Sequence, residues 1–200
     1  QISEASNELL KLAEYLQIPV ITTPEGKGSI SDKHYLSIGT PQGRSTGNSK
    51  DSLRDFFYTS DVILAVGTRF ATAEAKSKQK VIQIDIDRKE IGRNHKNTLG
   101  LLGDAKKVLN QLLKFIKKNR KTKKNQKTFF ERMKNNRYNN SKNKVEPLAS
   151  YVKALRQGIP NNGILVADMT TIAYYARIYY QTYHPRSYFT SSYSGNLGSA

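Results

Sequence analysis

The chain has no cysteine and no tryptophan, and only three histidines and two methionines in 200 residues. Without cysteine, neither a disulfide framework nor a thiolate metal centre can form. His34, His95 and His184 are scattered and share no metal-ligand spacing, so surface positions are expected for all three. No nucleophile–base pair is recognisable from spacing either. Acids are scarce: 16 Asp and Glu face 33 Lys and Arg, for a formal charge of +17. No apolar run approaches the roughly eighteen residues of a membrane span, and residues 1–20 show no signal-peptide pattern. A cytoplasmic location fits these absences.

Such a charge invites a nucleic-acid reading, but its distribution argues otherwise. Fifteen Lys or Arg and a single acid, Glu131, fall between Lys106 and Lys144, which leaves the rest of the chain near +3. This block is asparagine-rich and has few apolar residues beyond Phe115, Ile116, Phe129, Phe130 and Met133. A run of this kind is ordinarily a solvated helix face or a linker. No specific nucleic-acid site is expected, only weak attraction to polyanions at low salt. The distant alternative is a basic nucleic-acid-binding module, whose affinity would fall steeply with salt.

Elsewhere helices and strands alternate, which argues for an α/β parallel sheet. Residues 4–17 read as an amphipathic helix and Pro19–Thr23 as the strand after it. Glu25-Gly26-Lys27-Gly28 is turn-rich, and Ser37 to Asn48 reads as a long irregular loop. Asp51–Tyr58 suits a short helix capped by Ser49 or Asp51. Leu99–Leu102 resembles a strand, and Asp104 caps a helix over Ala105–Lys117. A helix over Pro147–Gln157, a strand over Gly163–Asp168, a helix over Ile172–Tyr180 and a strand from Ser187 follow. Tyr174, Tyr175, Tyr179, Tyr180 and Tyr183 recur at helical spacing, which points to packing at a domain or subunit contact. The chain begins inside a helix and ends early in this second α/β repeat, so a fragment of a longer protein is expected.

The most informative stretch runs from Asp61 to Asn94. Two continuous apolar runs, Val62–Val66 and Val81–Ile86, suit parallel strands covered on both faces. Each ends in polar residues, Gly67-Thr68-Arg69 and Asp85 to Asp87. Ligands of such sheets sit beyond the carboxyl ends of the strands. Glycine there admits a ligand to the backbone, and an acid can accept from ribose hydroxyls. A glycine that merely turns the chain explains the same residues equally well.

These residues also carry a resemblance. DVILAVGTRF followed by KVIQIDIDRKEIGRN is similar to the central domain of thiamine-diphosphate-dependent enzymes of the acetolactate synthase and pyruvate oxidase type. Leu9–Gly28 (LLKLAEYLQIPVITTPEGKG), Gly103–Leu109 (GDAKKVL) and Pro185–Ala200 (PRSYFTSSYSGNLGSA) agree in the family's order. The likeness covers nearly all of the chain except about residues 118 to 144. It implies a doubly wound, Rossmann-like central domain over 1–117, a basic linker over 118–144, and the start of a second α/β domain, which binds thiamine diphosphate, over 145–200.

Two sites follow from the resemblance. In the central domain Thr23, Pro24, Gly67, Thr68, Arg69, Asp85, Ile86, Asp104 and Ala105 match positions that hold FAD, or another adenine nucleotide; an empty scaffold is the alternative. Here Ala71-Thr72-Ala73 replaces the family's acids and second arginine, and Glu25 replaces a neutral residue. In the second domain Gly195, Asn196 and Leu197 fall on the turn that holds thiamine diphosphate, Leu197 wedging beneath it and bending it. Thr170 and Thr171 stand near its diphosphate, whereas Ile172 cannot donate to a phosphate; a helix cap explains the two threonines equally well. That departure points to a divergent relative. The family's activating glutamate and magnesium motif lie outside the chain, so no catalytic residue or metal ligand is assigned within it. By itself it is expected to be inactive. The resemblance further implies magnesium, a 2-oxo acid substrate, carboligation with a related decarboxylase or oxidase as the alternative, and a homodimer or tetramer. A sirtuin-like NAD-binding domain shares the sheet logic but lacks paired zinc cysteines here.

Overall fold

The computed structural model describes residues 2–41, 52–71, 75–142 and 145–190. In chain order the first elements are α1 (Ser6–Leu16), β1 (Val20–Ile21), a 3-10 turn (Pro24–Gly26), β2 (Ser37–Gly39), α2 (Ser52–Thr59), β3 (Val62–Val66), β4 (Lys80–Asp85) and β5 (Thr98–Leu102). Then come α3 (Ala105–Asn119), α4 (Lys127–Lys142), α5 (Leu148–Gly158), β6 (Leu165–Ala167), α6 (Thr171–Tyr179) and β7 (Tyr188–Thr190). They divide into two compact units, one of residues 2–12 and 52–121, the other of residues 13–51 and 122–200 with Gln1.

In the first unit β3, β4 and β5 form one sheet in that order, parallel throughout. The α/β parallel architecture is therefore as the alternation of elements predicts. Register sets Val62↔Lys80 through Val66↔Ile84, so Ile63, Ala65, Val81 and Gln83 share one face. Phe57, Phe70 and Ala75 pack over Ala65 and Val81 on that face. The helix α3 lies against β4 and buries Leu109 and Leu113. Asp104 caps it, accepting from the Lys107 amide at 3.1 Å.

Coverage of both faces is less complete than the apolar runs predict. Val62, Leu99 and Leu102 stay more than half exposed, because β3 and β5 are the edges of a three-stranded sheet. The connections 67–79 and 86–97 contain no helix among the described residues. Instead the chain after β4 folds back on the sheet, and Ile91 fills the space above Gly100, where a Cβ would collide with its Cγ2 atom. Because Ile91 is a side chain that can shift, Gly100→Ala is expected to cost only about 1–2 kcal/mol, read from urea unfolding.

The second unit differs from expectation in two places. First, Ser37–Gly39, predicted as irregular loop, is a strand parallel to β1. The Val20 amide donates to Leu36 O at 2.7 Å, Thr22 to Gly39 O at 3.1 Å, and the Thr22 and Thr40 hydroxyls pair at 2.9 Å. Second, much of the basic stretch is the helix α4, with Phe130 only 2% exposed. Its Lys134 Nζ donates to Asp32 O and His34 O, both at 2.9 Å, and Arg137 donates to Ile38 O and Thr40 O. Those cations tie α4 to backbone carbonyls around β2, His34 O also accepting from the Ser37 amide at 3.1 Å.

In the same unit β6 pairs parallel with β7. Val152, Ala176, Tyr180 and Tyr188 form a core joined by Leu155, Tyr175 and Tyr179. The tyrosine cluster thus splits: Tyr180 is 1% exposed, Tyr175 and Tyr179 stack, and Tyr174 is 41% exposed. Burial pushes the Tyr180 and Tyr188 phenols upward from their ordinary value. A raised phenol contributes stability below the unfolded value near pH 10 and loses it as pH rises beyond. In a spectrophotometric titration Tyr180 and Tyr188 should ionise only as the chain unfolds. No helix among the described residues is long and apolar enough to cross a membrane.

Candidate cofactor-binding site

The parallel register brings the carboxyl ends of β3, β4 and β5 to one edge of the sheet. Gly67 N donates to Ile84 O and Gly103 N to Asp85 O, both at 2.9 Å, so the three strand exits sit side by side. Gly67, Thr68, Arg69, Asp85, Ile86, Asp104 and Ala105 are brought together there. Gly67 has φ 57, the left-handed region that favours glycine, and a Cβ on it would meet nothing within 4 Å. The space above its backbone is therefore open to an approaching group. Ile86, 76% exposed, lies beside it in sequence order at the next exit.

Both acids are partly committed to the backbone. Asp85 Oδ1 accepts from the Asp87 amide at 2.9 Å, which leaves Oδ2 available. Asp104 caps α3; the Lys107 amide, followed by the Ser3 hydroxyl, holds its carboxyl below the usual carboxylate range. An edge with an open glycine, an exposed arginine and two carboxyl groups can take a ribose and a phosphate. Among the described residues it has no group placed to make or break covalent bonds.

What shapes this edge was not anticipated from sequence. Gln83 lies mid-strand in β4 and is 2% exposed. Its amide nitrogen donates to Thr68 O and Glu90 O, each at 3.1 Å, and its oxygen accepts from Gly92 N at 2.9 Å. Asn94 Nδ2 donates to Arg69 O at 2.8 Å, and Thr68 Oγ1 accepts from Phe70 N at 3.2 Å. Together they stitch the loop after β3 to the loop after β4, and they hold Phe70 at φ 54. Much of the GTRF and EIGRN pattern is thereby explained as loop fixation. A lone glutamine inside VIQIDI was the available signal.

The remaining site residues lie in the second unit. Thr23 caps the 3-10 turn that Pro24 begins, accepting from Gly26 N at 3.1 Å. Thr170 caps α6, accepting from Ala173 N at 3.3 Å. A hydroxyl that accepts from an amide still has its own hydrogen to donate, so the cap and a diphosphate contact are compatible. Among the described residues the Thr171 and Ile172 amides have no acceptor, as the first turn of a helix requires. Thr170→Ala should cost about 1 kcal/mol through the lost cap, with Thr170→Ser near neutral, by thermal melting. Gly195, Asn196 and Leu197 lie outside the described residues, as do Thr72, Ala73, Ser49 and Asp51. Of the histidines, His34 bonds Glu14 at 3.2 Å and His95 faces Gln79 O at 3.2 Å, so these two are half-buried structural contacts. No acid–histidine group able to hold a metal occurs among the described residues.

Comparison with known proteins agrees with this parallel α/β edge. Residues 1–112 match the model of the thiamine pyrophosphate enzyme central domain. The chain belongs to the thiamine pyrophosphate enzyme family. Among particular relatives, it is 32% identical over 98% of its length to the "probable acetolactate synthase large subunit" of Methanococcus aeolicus, of which it spans 36%. It is 40% identical over 56% of its length to the protein of that name in Methanocaldococcus jannaschii, spanning 19% of it. The "acetolactate synthase large subunit" of Buchnera aphidicola is 26% identical over 98% of the chain, which spans 35% of that protein. The chain thus spans about a third or less of these relatives.

Proposed function

We propose that this chain is part of a thiamine-diphosphate-dependent carboligase of the acetolactate synthase type, acting on 2-oxo acids such as pyruvate. One observation supports the reading most: the similarity to the Methanococcus aeolicus protein covers 98% of the chain, well past residue 112, where the central-domain match stops. On this reading residues 1–117 are the central domain, 118–144 connect it, and 145–200 open the domain that holds the coenzyme. When bound, thiamine diphosphate supplies the nucleophilic carbon and electron sink that decarboxylation of a 2-oxo acid needs. Thr170 and Thr171 offer hydroxyls, and α6 offers free amides, to its diphosphate. Gly195, Asn196 and Leu197 would hold it as well, by the resemblance of their turn to the family's.

Magnesium would neutralise the diphosphate, with ligands from outside the residues assigned here. The edge formed by Gly67, Arg69, Asp85 and Asp104 is the place for FAD or another adenine nucleotide. A homodimer or tetramer in the cytoplasm, serving branched-chain amino acid synthesis, completes the proposal. The test is product analysis of the intact protein with pyruvate, alone and with 2-oxobutyrate, in the presence of the coenzyme and magnesium. Acetolactate and its 2-oxobutyrate cross-product are expected. Acetaldehyde or acetate alone would reassign the chain to the decarboxylases or oxidases of the same family. Absence of calorimetric coenzyme uptake would remove the proposal.

A further inference from the structure

The turn between α5 and β6 holds the chain's one Asn–Gly pair: of fifteen asparagines, Asn162 alone precedes a glycine. The fold explains that glycine. A Cβ on Gly163 would stand 2.6 Å from Ile159 Cγ2 and 3.1 Å from Pro160 O, so the turn has no room for a side chain there. Residues 160–163 form a β-turn closed by the Gly163 amide, which donates to Pro160 O at 2.9 Å. Arg156 Nη2 donates to the same carbonyl and to Ile159 O, both at 2.6 Å, and so fixes the entry to the turn.

The asparagine side chain is not fastened in this way. Asn162 is exposed, and no hydrogen bond engages its amide among the described residues. Its side-chain carbonyl carbon is therefore free to turn toward the backbone. With no Cβ on the following residue, the Gly163 nitrogen can approach that carbon. Both groups belong to one short stretch of chain, so their reaction needs no encounter between molecules. The restraint is the bond from Gly163 N to Pro160 O, which must open before the nitrogen can attack.

We propose that Asn162 is a site of spontaneous deamidation. The Gly163 nitrogen loses its proton to solvent base and attacks Asn162 Cγ. Nδ2 takes a proton from water and leaves as ammonia, and a succinimide ring closes. Water then opens the ring. At one carbonyl it gives an aspartyl residue; at the other it gives an isoaspartyl residue, whose main chain runs through Cβ and Cγ. In sum, amide and water become carboxylate and ammonium, with no oxidant or reductant. Either product adds a negative charge to a chain of formal charge +17. The isoaspartyl form also lengthens the main chain by a methylene carbon just before β6, whose Leu165 N donates to Ser187 O at 3.0 Å. The site is independent of the coenzyme and flavin readings, because none of their residues lies in this turn.

The experiment ages the intact protein at neutral and alkaline pH and maps deamidation by mass spectrometry, this turn lying in the tryptic peptide 157–177. Asn162 should lose its amide faster than any other asparagine, in proportion to hydroxide concentration. In urea it should react about fivefold faster or more, because the restraining hydrogen bond is gone. Asn162→Gln should hold its amide, since the larger ring closes far more slowly. Its thermal midpoint should match the parent's, because the side chain is exposed. Among the separated aged forms, the isoaspartyl one should melt below the aspartyl one. The proposal is overturned if another asparagine reacts first, if the rate does not rise with pH or with urea, or if Asn162→Gln deamidates there as fast. Equal melting of the two aged forms would also overturn it, by showing that this turn does not restrain β6.

Discussion

Replacing Gln83 with leucine should destabilise the protein by about 3–5 kcal/mol, although the side chain stays apolar, similar in size and buried. The loss comes from three backbone groups rather than from packing. Thr68 O and Gly92 N bond the Gln83 amide and would be left without that partner, while Glu90 O would keep only a long bond from the Arg93 amide at 3.4 Å. An orphaned buried donor or acceptor costs about 1–3 kcal/mol. Gln83→Glu keeps the acceptor for Gly92 but loses both donors and adds a buried carboxylate, so it should be at least as damaging at neutral pH and recover partly as pH falls. Urea unfolding measures both. Because these bonds tie the loops after β3 and β4, a loss of adenine-nucleotide affinity should accompany the loss of stability. A leucine variant within about 1 kcal/mol of the parent would show that the loops hold themselves.

Gly28→Ala should cost about 2–5 kcal/mol, from strain and overpacking acting together. Gly28 has φ 80, and a Cβ there would drive into the carbonyl oxygen of His184 and stand 3.0 Å from its carbon. The obstacle is backbone, so no rotamer change relieves it. That carbonyl also accepts from Ser187 Oγ at 2.7 Å, at the entry to β7. Its neighbour is the control. A Cβ on Gly26 would come within 3.2 Å only of the Thr23 hydroxyl, which can turn away, so Gly26→Ala should cost about 1 kcal/mol or less. Equal melting temperatures for the two variants would refute this account of the EGKG loop.

The contrast between these glycines shows where sequence reading stops. Both stand in one turn-rich motif, and only the position of residue 184 in space separates them. The same holds for β4. Its apolar run and terminal acid mark a parallel strand, and Asp104 marks the start of α3, because local pattern and capping carry those signals. Gln83 shows only as a lone polar residue in that run, and its role stays hidden because its partners lie 7 to 15 residues away on both sides. Likewise Ser37–Gly39 has little strand character of its own and becomes a strand by pairing with β1. In α4, Lys134 and Arg137 look like two more members of a solvated basic run. They dock because carbonyls some hundred residues earlier in the chain accept from them.

The resemblance grouped Gly67, Asp85 and Asp104 as flavin positions, and the structure brings these three to one sheet edge, because parallel strands of similar length end together. It did not show how far each acid is committed to capping its own backbone, which depends on loop geometry.

The amino-acid sequence alone determined the alternating α/β order, the helices α1, α3, α5 and α6, the exits of β3, β4 and β5, and the family. Each of these rests on periodicity, capping or motif, all of which act over a few neighbouring residues. Tertiary structure alone decided which polar groups go inside: Gln83 between two loops, Tyr180 in the core. Burying a polar group is tolerable only where distant chain supplies its partners, and no local pattern records where distant chain will lie.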